Sequence, residues 1–158
     1  MFHTILEVDP GGTFVGSTYC FATARDWARF GLLYMNDGVW CGERILPVGW
    51  VKFTAAPSCT KTNIHLGEYG ALWWVNTDHN YPHVPKDCFF CQGYFGQYVW
   101  VIPSKKLVIV RLSDEEGDHL DNDAFLSKVI NSFYPTQRLS GKSGNVVPDD
   151  KAPVMRRP

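Results

Sequence analysis

No stretch of the 158-residue sequence approaches the ~18 uninterrupted apolar residues of a membrane-spanning helix. Charge of one sign is also missing. Lys and Arg total 15 against 16 Asp and Glu, which leaves a formal net charge of -1. A surface that holds nucleic acid by neutralising phosphates is therefore not expected. The first residues, Met1-Phe2-His3-Thr4, carry no basic start and no apolar segment before a small-residue site, so no secretory leader is read here. No internal repeat is present. Cysteine is sparse, and its count of 5 is odd, so the chain is not a disulfide-dominated scaffold.

What is abundant is apolar and aromatic surface, at 45% and 15% of residues. That suffices for a packed core in one domain of ordinary size. Thr23 is placed to cap a helix, with Asp26 three residues on and Trp27, Phe30, Leu33 and Tyr34 at helical spacing until Asn36-Asp37-Gly38. Arg25 and Arg29 on that helix look outward or find separate acidic partners. Cys41-Gly42-Glu43 reads as a tight turn, and Pro47 opens a short helix through Trp50, Val51 and Phe53. Tyr69 to Val75 and Phe89 to Ile102 read as strands, the second interrupted at Gly93 and Gly96. Residues 76–88 form a loop. Pro103 to Lys106 makes a turn into the strand Leu107 to Leu112. Leu120 to Phe133 is helical, with Phe125, Val129, Ile130 and Phe133 on one face. The expected fold is α+β: an antiparallel sheet with flanking helices, over residues 1–134. Residues 135–158 lack an apolar period and read as a disordered polar tail. The helices are thin cover for so many aromatics.

Chemistry-bearing patterns are few. His79, His83, Cys88 and Cys91 have zinc-type spacing, but the pair C-x2-C stands alone, and small apolar filling is the expected role of both cysteines. Ser58-Cys59-Thr60-Lys61 spells S-x-x-K, and Tyr34-Met35-Asn36 spells Y-x-N. Ser58 follows Pro57 in a polar loop, whereas an activated serine is expected at the start of a buried helix. Each pattern fixes only two residues. No G-x-S-x-G elbow occurs. Asp114 to Asp118 reads as a solvated acidic turn. Strand alternation sends Trp73 and Trp74 to opposite faces, and Trp73 and Trp100 are read as core.

An ordered set of stretches carries more. These are Asp9 to Ser17, Ala22 to Tyr34, Gly42 to Pro47, Tyr69 to Trp74, Gly93 to Tyr98 and Ile102 to Ser104. In this order they resemble the C-terminal portion of the serine β-lactamase-related hydrolases, the group of class C β-lactamases, penicillin-binding esterases and 6-aminohexanoate-dimer hydrolases. The resemblance covers residues 1–134. It implies the C-terminal part of a β-lactamase/transpeptidase-like fold. It also implies acyl transfer on a small ester or amide substrate, with no cofactor, once an N-terminal half completes the site. The group's S-x-x-K and Y-x-N motifs lie before the matched region, so the nucleophile is expected outside this sequence and the chain is expected to be inactive alone. The group's third motif, on the strand edge lining the active site, is matched by Tyr94-Phe95-Gly96. By that analogy Gln97 supplies an oxyanion N–H, Gly96 permits close backbone approach, and Phe95 and Trp74 line the substrate. Tyr94 replaces a basic or imidazole residue of that motif. It donates a hydrogen bond but carries no positive charge, which favours esterase or amidase ancestry over β-lactam recognition. The alternative is a non-catalytic truncated paralogue that acts as a binding or assembly module. The sequence points to no compartment.

Overall fold

The computed structural model describes residues 1, 3–16, 18–58, 68–114, 116 and 119–135. The tail expected from 135 onward lies outside them, apart from its first residue.

The chain opens with two short strands, β1 (Thr4–Leu6) and β2 (Cys20–Ala22), paired antiparallel. Helix α1 (Ala24–Met35) follows. Its cap is the one the sequence signals: Thr23 Oγ1 accepts the Asp26 N–H at 3.2 Å. Asp26 is fully buried. Its carboxylate accepts the His3 N–H (3.0 Å), the Thr23 hydroxyl (3.0 Å) and Arg29 Nη1 (2.8 Å). Arg29 thus finds an acidic partner, and its charge neutralises one that burial alone would disfavour. Strands β3 (Val39–Trp40) and β4 (Glu43–Arg44) are joined by Cys41-Gly42, both at positive φ, as a two-residue hairpin requires. Helix α2 (Trp50–Thr54) comes next.

The centre of the molecule is an antiparallel sheet in the order β5 (Glu68–Tyr69), β6 (Trp74–Val75), β7 (Phe89–Gly93), β8 (Gln97–Ile102), β9 (Leu107–Arg111). Two segments read as single strands are hairpins. The first is Tyr69 to Val75. Here Gly70 lies so close to α2 that a Cβ would fall 2.2 Å from the Thr54 carbonyl oxygen. The chain turns at 70–73, and Ala71 N–H donates to that same oxygen at 3.0 Å. The second is Phe89 to Ile102, which folds at Tyr94-Phe95-Gly96 so that Gly93 pairs with Gln97.

Residues alternate along β8 between two layers. Trp100 and Ile102 pack with Ile109, Phe90, Tyr81 and Val84, under helix α3 (Asn122–Phe133) through Leu126 and Ile130. Val101 packs with Trp73, Val75 and Phe89 under α1 through Phe30 and Tyr34. Both faces of the sheet are therefore covered. Trp73 and Trp74 divide between these layers as alternation requires. Helix α1 reaches β8 and β9 because residue 31 is glycine: a Cβ there would meet Val108 Cγ1 at 2.6 Å. Of the α3 face read from the sequence, Phe133 is 65% exposed, and Leu126 takes the buried place.

The loop between β6 and β7 is built around Asn76, which is fully buried. Its Nδ2 donates to the carbonyls of Tyr81, Val84 and Pro85 at 3.1, 3.1 and 3.2 Å, while its Oδ1 accepts the Tyr81 N–H at 2.8 Å. One side chain supplies the partners that a loop without a ladder would otherwise leave buried and unpaired.

Candidate functional site

Among the described residues, the ladder of the sheet leaves one stretch of backbone uncovered. Asn76 N–H donates to the Cys88 carbonyl at 2.9 Å, and Trp74 pairs with Phe90. In an antiparallel ladder alternate residues turn their N–H and C=O to the same neighbour. Positions 88, 90 and 92 of β7 therefore face β6, while 89, 91 and 93 face β8. The β6 ladder ends at Trp74–Phe90. Among the described residues, Gln92 is left with its N–H and C=O along an edge that no strand covers. Its side-chain Oε1 is buried with no hydrogen-bond partner.

Two turns stand at this end of the sheet. The β7–β8 turn holds Tyr94, which is 74% exposed, with its ring centroid 4.1 Å from that of half-buried Phe95. Phe95 and Gly96 have φ of 60° and 67°. Glycine adopts this conformation freely, whereas phenylalanine does so rarely. The β5–β6 turn holds Leu72, 81% exposed at φ 68°.

The residues singled out by resemblance are thus together, but not in the arrangement read from the sequence. Tyr94-Phe95-Gly96 is a turn and not an edge strand. Gln97 opens β8, a central strand flanked by β7 and β9, and by the same alternation its N–H runs toward Gly93 within the ladder. The open backbone belongs to Gln92, on the other side of the hairpin. Trp74 lies on the α3 side of the sheet, half-buried, with its ring 4.6 Å from that of Tyr69.

The other candidates are engaged elsewhere. Tyr34 packs its ring 4.5 Å from Trp73 in the core under α1. Ser58 is exposed, and its N–H donates to the Tyr69 carbonyl at 2.8 Å; the Cys59, Thr60 and Lys61 of its motif lie outside the described residues. Cys88 is buried in the α3-side layer and Cys91 packs against the α1-side layer. Burial raises both thiols, Cys91 to about 12, so neither is a thiolate at neutral pH. His83 is tied to α3: its N–H donates to Asp123 Oδ1 at 2.9 Å, and its Nδ1 lies 2.5 Å from Asp123 Oδ2. Among the described residues, no three His, Cys, Asp or Glu side chains are grouped to hold a metal ion.

No family model matches the chain. A search of curated proteins finds the 6-aminohexanoate-dimer hydrolase of Paenarthrobacter ureafaciens, 29% identical over 118 residues, or 68% of this chain. Among solved structures, a putative 6-aminohexanoate-dimer hydrolase from Bacillus anthracis superposes with a TM-score of 0.60 at 25% identity, over 82% of this chain. Both are β-lactamase-related hydrolases, and the likeness to them supports the resemblance read from the sequence. The chain spans 28% of the length of the first of these relatives and 34% of the second. Within the group's fold, the α+β architecture with its antiparallel sheet is the part present here. The sequence does not single out Gln92 or Leu72. Nothing in their residue types marks them, since the register of β6 against β7 is what makes both conspicuous.

Proposed function

We propose that this chain forms the oxyanion-side wall of an acyl-transfer cleft in a serine hydrolase of esterase or amidase type. The observation that carries this reading is the uncovered backbone of Gln92 in a chain related to two hydrolases. A hydroxyl nucleophile attacks an ester or amide carbonyl carbon, and the carbonyl oxygen takes up the negative charge. A fixed N–H aimed at that oxygen stabilises the developing charge without reorganisation. Gln92, in place of Gln97, supplies that N–H. Tyr94 and Phe95 border the cleft. The cleft's serine, its lysine and its tyrosine come from polypeptide outside this sequence, so the chain alone lacks the covalent chemistry.

The test is turnover of p-nitrophenyl butyrate, nitrocefin and the 6-aminohexanoate dimer by the 158-residue chain. No enzymatic rate is expected. Turnover lost on Ser58→Ala would overturn the reading. In a polypeptide that joins this chain to a segment bearing S-x-x-K and Y-x-N, Gln92→Pro removes the N–H at a position where no strand pairs. It is expected to lower kcat by roughly 10²–10³-fold.

A second reading is a non-catalytic assembly module. One observation favours it: Ile5, Leu6, Val8, Phe14, Tyr19 and Phe21 around the β1–β2 hairpin are all more than half exposed. An active joined polypeptide would exclude it.

A further inference from the structure

Trp100 is wholly buried at the centre of the sheet, and its Nε1 has no hydrogen-bond partner among the described residues. The buried Oε1 of Gln92 is in the same position. An indole N–H only donates and an amide oxygen only accepts, so the two atoms are complementary. Left dry and unpaired, each costs the desolvation of a polar group. Protein interiors avoid that cost by pairing such atoms with protein or with bound water.

The register brings the two residues together. Across the β7–β8 ladder Gln92 pairs with Tyr98, and Phe90 pairs with Trp100. Phe90, Tyr98, Trp100 and Trp74 belong to the layer on the α3 side, whereas Cys91 packs on the α1 side. Alternation along β7 therefore sends the Gln92 side chain into the α3-side layer. There it stands opposite Tyr98 and diagonal to Trp100, a spacing across which two long side chains meet. The Trp100 indole lies flat against the Tyr98 ring, with centroids 4.5 Å apart and planes 7° apart. The Phe90 ring stands 6.0 Å from that of Tyr98 on the same face. The Gln92 amide is thus set among aromatic rings, and these offer its oxygen no strong donor.

We infer that Gln92 Oε1 and Trp100 Nε1 hold one internal water molecule between them, on the α3 side of β7 and β8. The water accepts the indole N–H and donates an O–H to the amide oxygen, so both atoms are satisfied at once. Two polar partners meet the minimum that holds an internal water, and a site walled by rings admits no larger polar ligand. The bridge joins a β7 side chain to a β8 side chain in the layer that α3 covers. It concerns the side chain of Gln92 and is independent of what its backbone N–H does in the cleft.

The test is a rotating-frame Overhauser spectrum of the 15N-labelled chain, read at the indole proton of Trp100. A cross-peak to water of dipolar sign is expected, opposite in sign to hydrogen exchange. Its absence, or a peak of exchange sign alone, would overturn the inference. Gln92→Met keeps the side chain's length and removes the acceptor. The dipolar peak should then disappear, and its persistence would count equally against the bridge. Urea unfolding supplies a second reading. Gln92→Met is expected to raise the unfolding equilibrium constant roughly tenfold, because it strands the indole N–H. In a Trp100→Phe background the same substitution is expected to change it less than about twofold. Equal effects in the two backgrounds would refute the pairing. Should Trp100→Phe fail to fold, the cross-peak of the parent and its fate in Gln92→Met decide alone.

Discussion

Two residues decide how the loop between β6 and β7 is held. Asn76 donates to three carbonyls and accepts one N–H from wholly inside the protein. Asn76→Ala strands those carbonyls without replacing their partner. The expected loss is about 2–3 kcal/mol in urea unfolding, with amide exchange accelerated across the loop. His83 fastens the same loop to α3. The hydrogen bond that its imidazole donates to Asp123, then the Asp123 charge, and then the charge of Asp121 raise the His83 pKa above its usual 6.5. The protonated imidazole is the form that the fold favours. Its contribution is therefore fully present below pH ~6.5 and is lost as pH rises through the folded-state value. NMR titration of His83 should give a midpoint above the unfolded one, and loop protection should fall across that interval. His83→Gln should remove the pH dependence.

At the scale of elements, the close seat of α1 on β8 and β9 depends on Gly31. Gly31→Ala improves helix propensity, yet its methyl would meet Val108 at 2.6 Å and Val99 at 3.1 Å. The packing clash outweighs the propensity gain, and a net loss of about 1–3 kcal/mol is expected in thermal or denaturant unfolding. Elements whose causes are local were legible in the sequence. The Thr23 cap and the aromatic period of α1 predicted a helix that the structure contains, and Cys41-Gly42 predicted its turn. Elements with distant causes were not. Tyr69 to Val75 breaks into a hairpin because α2 presses on Gly70, a contact that no window of sequence contains. Phe89 to Ile102 folds back at Tyr94-Phe95-Gly96, where Phe95 takes a backbone region usually signalled by Gly or Asn. The residues read by resemblance fall on this hairpin, and strand parity alone turns the Gln92 N–H to the uncovered edge and the Gln97 N–H into the ladder.

At the scale of the molecule, cover is uneven. The central sheet is shielded on both faces, whereas the β1–β2 hairpin exposes its large side chains, including the cross-strand pair Ile5 and Phe21. Ile5→Asp with Phe21→Asp should therefore leave unfolding of the central sheet within about 0.5 kcal/mol of the parent. Binding of a dye such as ANS and concentration-dependent association should both fall. Retained association in light scattering would place the adhesive surface elsewhere.

The packing of α1 also constrains the order of assembly. Strands β5 to β9 join neighbours in sequence, so each hairpin closes over a short stretch of chain. Helix α1 touches β8 and β9 only after all the chain between them has been drawn together, and the entropy of closing that loop is lost before the contact forms. The sheet is thus the natural nucleus. Substitutions at Gly31 should speed unfolding far more than they slow folding, giving low φ-values in a helix that packs closely on the sheet in the finished protein.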